Sequence, residues 1–90
     1  EKPKPAEKVD AGETINAIMA GTFYRASAEN IPPFVVEGSV VDAGDTICIL
    51  EAMKLFNEIQ SPIKCKVVKI LVENGTKVTK GQPIMAIEKL

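Results

Sequence analysis

The ninety-residue chain contains no histidine. That absence removes the usual general base, and with it every Ser/His/Asp or Cys/His arrangement. Cysteine is scarce as well. Cys48 and Cys65 lie in strand-like apolar contexts, with neither histidine nor further cysteine to complete a metal site. They read as two reduced, partly buried thiols rather than a disulfide. Basic charge is not in excess: eleven Lys and Arg against twelve Asp and Glu leave a net charge of -1, so no phosphate backbone is courted and nucleic acid is excluded as a partner. No apolar run is long enough to span a membrane, and no signal-peptide pattern opens the chain. A soluble, cytosolic protein without a membrane partner is the expectation. The chain opens at Glu1 rather than at a methionine, as a fragment of something longer would.

What is present suits one small domain. The 46% hydrophobic content excludes disorder of the whole chain, but the length leaves no room for both a large core and an enclosed catalytic cleft. Residues 1–12 are charged and proline-bearing, with little to bury, and read as a semi-extended flexible linker. Residues 13–90 read as the folded domain. Here short Val/Ile-rich runs alternate with glycine, proline, asparagine and aspartate. Val40-Val41, Ile47-Cys48-Ile49-Leu50, Val67-Val68-Lys69-Ile70-Leu71-Val72 and Ile84-Met85-Ala86-Ile87 are the clearest strands. No stretch sustains a helical period, so the fold class is all-β.

An internal repeat adds the architecture. Shifted by 37, Val35, Gly38, Val41, Gly44, Ile47 and Glu51 fall on Val72, Gly75, Val78, Gly81, Ile84 and Glu88. Upstream, a shift of 44 carries Ile15, Ala17, Met19, Gly21 and Phe23 onto Ile59, Ser61, Ile63, Cys65 and Val67. The difference between the shifts places seven extra residues between Tyr24 and Phe34. Two half-repeats, each unable to cover its own apolar face, should pack about a pseudo-twofold axis as a flattened β-barrel or sandwich, a barrel-sandwich hybrid. Glu37-Gly38, Asn74-Gly75, Ala43-Gly44-Asp45 and Lys80-Gly81-Gln82 supply its turns, where glycine enters positive φ freely.

Between Ile47-Cys48-Ile49-Leu50 and the strand-like Phe56-Asn57-Glu58-Ile59 lies Glu51-Ala52-Met53-Lys54-Leu55. The short connection predicts a β-hairpin with Met53 and Lys54 near its tip. A lysine there is exposed yet held in a repeatable position, as an acceptor amine must be. Taken alone, such a lysine is ordinarily a solvated charge.

Glu51-Ala52-Met53-Lys54 resembles the acceptor motif of biotinyl domains, whose lysine carries biotin. Ala20-Gly21-Thr22-Phe23-Tyr24-Arg25, Pro32-Pro33-Phe34, Val41-Asp42-Ala43-Gly44-Asp45-Thr46 and Asn57-Glu58-Ile59 are similar to the biotin carboxyl carriers of bacterial and plastid acetyl-CoA carboxylases. The similarity runs from about Ile15 to Glu88. The resemblance implies covalent biotin on Lys54, recognised through Glu51, Ala52, Met53 and Leu55. It also implies that the surplus residues, within Arg25, Ala26, Ser27, Ala28, Glu29, Asn30, Ile31, Pro32 and Pro33, form the protruding "thumb" of that branch; a tolerated surface loop is the plainer reading. Two departures stand out. Ala17-Ile18 replaces a frequent Ser-Pro and should loosen strand entry. Cys65 replaces a frequent glycine and puts the local backbone geometry in question.

The resemblance further implies a carrier with no active site of its own, working in the cytoplasm or in the plastid stroma. A biotin protein ligase would attach biotin to the Lys54 amine, supplying the base this chain lacks. Biotin carboxylase would then load a carboxyl group, and carboxyltransferase would pass it to acetyl-CoA, giving malonyl-CoA for fatty-acid biosynthesis. Met53 has two readings, a gap-filler capping the core and a recognition element beside the acceptor. The rivals are a lipoyl domain, which normally has Asp-Lys-Ala where this chain has Met53-Lys54-Leu55, a carrier for another biotin-dependent carboxylase or decarboxylase, and an unmodified β-sandwich that only binds a partner.

Overall fold

The computed structural model describes residues 13–90; the linker expected over residues 1–12 lies outside the described residues. Eight strands follow one another: β1 (Glu13–Asn16), β2 (Gly21–Tyr24), β3 (Val40–Val41), β4 (Thr46–Ala52), β5 (Leu55–Gln60), β6 (Cys65–Ile70), β7 (Lys77–Val78) and β8 (Pro83–Lys89). They build two four-stranded sheets, ordered β1-β8-β6-β3 and β5-β4-β2-β7, with every pairing antiparallel. Among the described residues there is no helix. The all-β sandwich of half-repeats is the fold observed.

The repeat operates at the level of register. Strands β1 to β4 map onto β5 to β8, so each half contributes two strands to each sheet and the axis exchanges the sheets. In the first sheet, Glu13, Thr14, Ile15 and Asn16 face Ile87, Ala86, Met85 and Pro83. In the second, Asn57, Glu58, Ile59 and Gln60 face Leu50, Ile49, Cys48 and Thr46. These are the same pairs displaced by 44 and 37, down to the residue each strand skips, Ile47 in one and Ile84 in the other. Both skipped isoleucines are fully buried, because the bulge turns an extra side chain inward. The bulge thus sends three of four consecutive residues into the core, Ile47, Cys48 and Leu50 in β4 and Ile84, Met85 and Ile87 in β8, where plain alternation would send two.

Turn bonds repeat too. Gly38 N–H donates to Val67 O at 2.7 Å, and Gly75 N–H to Phe23 O at 2.7 Å. Phe23, Ile47, Leu50, Val67, Ile84, Met85 and Ile87 form the centre of the core, each at most 2% exposed.

The structure corrects three expectations. The strand expected over Val67 to Val72 ends at Ile70, because a second-half bulge lies between Val67 and Lys69 and the chain then leaves the sheet. Ala17-Ile18 does not loosen the strand: Ala17 N–H donates to Gln82 O and its carbonyl accepts from Gly81 N–H, both at 2.8 Å. Cys65 keeps an ordinary negative φ and pairs with Val41 and Lys89, so the side chain there imposes no unusual backbone.

The ends of the domain are placed by the same topology. Lys89 lies beside Glu13, Nζ to carboxylate 3.8 Å, an exposed pair worth little to stability. Lys89 also pairs with Cys65, which pairs with Val41, whose turn leads into Thr46. The start of β4 therefore shares a pole with Glu13 and Lys89. The seven residues of β4 then climb to the opposite pole, about 20 Å away at the usual rise per residue.

Candidate functional site

At that far pole β4 and β5 are joined by two residues, Met53 and Lys54, between the paired Ala52 and Leu55. Their φ angles are 54° and 66°. Positive φ at both central positions marks a type I′ hairpin turn, whose twist matches the flanking strands and whose preferred residues are Asn-Gly. An L-residue with a full side chain pays roughly 1–2 kcal/mol to sit there. Among the described residues, Met53 and Lys54 are the only non-glycine residues with positive φ. The backbone strain of this domain is concentrated at the lysine that the motif singles out.

Three contacts hold the turn. The Glu51 carboxylate accepts the Lys54 backbone N–H at 3.3 Å. The Asn57 side-chain amide donates to Leu50 O at 3.3 Å and to Leu55 O at 3.4 Å, stitching the hairpin from the half-buried side. Below the turn, Thr22 of β2 pairs with Glu51. Lys54 itself is exposed, and its side chain is in no ion pair with a described residue. Met53 is 93% exposed, which overturns the reading of it as a core cap: the turn projects it away from the sandwich. Leu55 and Phe56 are 67% and 66% exposed, so the hairpin presents an apolar flank on either side of the amine.

The residues 25–33 stand beside this hairpin. Phe34 N–H donates to Arg25 O at 2.8 Å and closes the base of the loop, while Arg25 N–H donates to Asn74 Oδ1 at 2.8 Å. Ile31 N–H reaches Ala28 O at 3.2 Å within it. The segment leans over the outer face of the second sheet, enclosing an open cavity of about 440 Å³ with Tyr24, Ile49 and Phe56. The Tyr24 and Phe56 rings lie 6.5 Å apart, tilted by 45°. Ile49 points outward yet is only 6% exposed, because this segment and the two rings cover it; its counterpart in the other sheet is the small Ala86. On the other side of the hairpin a groove of about 520 Å³ is lined by Gly21, Thr22, Glu51, Met53, Lys77 and Thr79.

Glu51, Ala52, Met53, Lys54 and Leu55 are thus brought together at one pole, and Arg25 to Pro33 lie along one flank of it. Sequence reasoning missed Asn57 and the Tyr24, Ile49 and Phe56 cluster. A polar residue within an otherwise apolar-patterned strand was the available signal for Asn57. Elsewhere Cys48 is fully buried, and burial pushes its thiol up to about 12, which leaves it an inert core side chain. Cys65 is buried and free as well. Among the described residues no cluster of three or more His, Cys, Asp or Glu side chains could hold a metal ion.

Comparison with known proteins gives a consistent answer. Residues 13–87 match the biotin/lipoyl family described as "Biotin-requiring enzyme". Over 70 residues the chain is 49% identical to the biotin carboxyl carrier protein of acetyl-CoA carboxylase from Nostoc sp., covering 78% of this chain and 38% of that protein. It is 44% identical over 75 residues to the chloroplastic carrier protein 1 of Arabidopsis thaliana, 83% of this chain and 27% of that one. The Pseudomonas aeruginosa carrier protein is 41% identical over 83 residues, 92% and 53% respectively. The chain therefore spans about half the length of these relatives or less. Among solved structures, a single-chain, multi-domain long-chain acyl-CoA carboxylase superposes with a TM-score of 0.73 at 27% identity, over 87% of this chain and 7% of that one.

Proposed function

The chain belongs to the biotin/lipoyl family of biotin-requiring enzymes, and from that premise we propose that it is the biotin carboxyl carrier domain of an acetyl-CoA carboxylase, with biotin held as an amide on Lys54 Nζ. The observation that carries this reading is the acceptor turn. Glu51-Ala52-Met53-Lys54 lies on a hairpin that spends backbone strain on two exposed residues where Asn-Gly would be relaxed. The names of the relatives support the choice of acetyl-CoA carboxylase, and residues 25–33 support it over other biotin carriers, since an insertion at that place marks the branch.

The residues present fit the group. Lys54 offers an exposed primary amine, and the Glu51 carboxylate is occupied by the turn's own N–H instead of neutralising that amine. Attached there, biotin supplies a ureido nitrogen that takes up and gives up a carboxyl group. The chain's own residues present, orient and tether. Glu51 and Asn57 hold the turn in one shape, so a partner enzyme meets the same surface each time. The flanking Met53, Leu55 and Phe56 are exposed apolar contacts for such partners. The chain enters and leaves at the opposite pole, so a tether there does not obstruct the amine. Its contribution to rate is effective concentration, one carrier visiting two active sites without dissociating from the assembly. In this reading the domain is a carrier and not an enzyme. Its partners are a biotin protein ligase, biotin carboxylase and carboxyltransferase, in a bacterial cytoplasm or a plastid stroma.

Intact mass spectrometry of the purified chain, before and after incubation with a biotin protein ligase, ATP and biotin, tests the proposal. One added biotinyl group is expected. No added mass, or a lipoyl group acquired from a lipoate ligase in its place, would contradict it.

A further inference from the structure

Five glycines lie among the described residues, and four of them, Gly38, Gly44, Gly75 and Gly81, have φ between 86° and 97°. Gly21 does not, so left-handed backbone does not account for it. Space does. A Cβ built on Gly21 would stand 2.9 Å from the carbonyl oxygen of Glu51 and 3.3 Å from its carbonyl carbon, whereas nothing lies within 4 Å of a Cβ at any of the other four. Backbone atoms are the obstacle, and they cannot swing aside as the end of a side chain can. One of the two strands must yield.

The pseudo-twofold axis supplies an internal control. The counterpart of Gly21 is Cys65, which pairs with Val41 as Gly21 pairs with Val78. Cys65 carries a Cβ and an Sγ, is fully buried, and sits 3.7 Å from Ser61 Oγ. The sandwich therefore accepts a side chain at this place in the half that ends at the chain terminus. Close approach is confined to the half whose strand carries the acceptor turn.

We infer that Gly21 is a positioning residue for the acceptor lysine: its missing Cβ lets β2 close on Glu51, setting the strand whose carboxylate holds the Lys54 N–H. The inference rests on Lys54 being the acceptor. The chain of contact is short. A Cβ on Gly21 would collide with the Glu51 backbone, Thr22 pairs with Glu51, and the Glu51 side chain reaches Lys54 N. Gly21 meets neither Lys54 nor any bound group, so it acts through Glu51.

The test compares Gly21→Ala with the wild-type chain and with Cys65→Gly as the control at the equivalent place. Folding is followed by thermal melting, the turn by the backbone amide resonances of Glu51 and Lys54, and transfer by steady-state kinetics with a biotin protein ligase, ATP and biotin. For Gly21→Ala a folded domain is expected, with shifted Glu51 and Lys54 amides and a fall of about tenfold or more in kcat/KM, as misplacement of an acceptor produces. In a Glu51→Ala background the same substitution should add little, because the route through the carboxylate is already cut. Cys65→Gly should transfer at the wild-type rate. Wild-type transfer by Gly21→Ala, unmoved Glu51 and Lys54 amides, or an unfolded Gly21→Ala domain would each overturn the inference, the last because the requirement would belong to the fold. Failure of the wild-type chain itself to accept biotin would instead refute Lys54 as acceptor, a distinct result.

Discussion

Replacing Met53-Lys54 with Asn-Gly should make the domain more stable while removing the proposed biotin acceptor. Both residues hold positive φ, 54° and 66°, at roughly 1–2 kcal/mol each for an L-residue with a full side chain. Asparagine tolerates that region better and glycine is at ease in it. Glycine returns about 0.5–1 kcal/mol through the greater freedom it loses on folding. A net gain of about 1–2 kcal/mol remains. Little is lost in exchange, because Met53 is 93% exposed, Lys54 is exposed, and the Glu51 carboxylate bonds to a backbone N–H that the substitution keeps. For a domain of this size the gain corresponds to a rise in Tm of about 5–10 °C. Thermal and urea unfolding of the unmodified chain and of the double variant, followed by circular dichroism, would measure it. An unchanged or lowered midpoint would show that the turn carries no strain, and the argument that function is written into its backbone would fail.

Other consequences follow from particular contacts. Removing residues 26–32 should leave the sandwich folded, since the second half manages without an equivalent, but it uncovers Ile49 and should cost about 1–2 kcal/mol in urea unfolding; a chain that no longer melts cooperatively would contradict this. Alkaline solution should weaken the fold through Cys48. Its thiol stays protonated to about 12 when folded, against 9.0 when not, so above pH 9 the unfolded chain alone loses that proton. Stability should be unaffected by this group below pH 9 and then fall by up to about 1.4 kcal/mol per pH unit toward 12; a Cys48→Ala variant showing the same alkaline slope would refute the assignment. Phe23→Ala, at a fully buried position, should cost about 3–5 kcal/mol and leave a marginal domain at best, measured as the loss of a cooperative thermal transition.

The legible part of the fold came from repetition. The shifts of 37 and 44 predicted which strands are equivalent, and the cross-strand pairs of β1 with β8 and β5 with β4 obey them residue for residue. The surplus length between Tyr24 and Phe34 was legible for the same reason, since the halves can be aligned only by a gap there. Apolar alternation, by contrast, could not reveal the bulges at Ile47 and Ile84 or the one after Val67, because a bulge changes which face a residue takes without changing what the residue is. It likewise could not separate an outward Ile49 under a covering loop from a core isoleucine. At the acceptor turn the two-residue spacing was readable, but Met53-Lys54 is not a pair that favours type I′ geometry. The structure imposes that geometry through the pairing of Ala52 with Leu55 and the grip of Glu51 and Asn57. Gly21 was visible only as the repeat counterpart of Cys65 and as part of a motif, because the close approach of the Glu51 backbone that it permits is a distance and not a pattern.

The central claim is that one lysine of ten accepts biotin. Peptide mapping by mass spectrometry after incubation with biotin protein ligase, ATP and biotin tests it, with Lys54→Arg in parallel, because arginine keeps the charge but offers no primary amine to acylate. The wild-type chain should gain a single biotinyl group on the peptide containing Met53-Lys54-Leu55, and Lys54→Arg should gain none. A biotinyl group on Lys54→Arg, or one mapped in the wild type to any other lysine, would contradict the account.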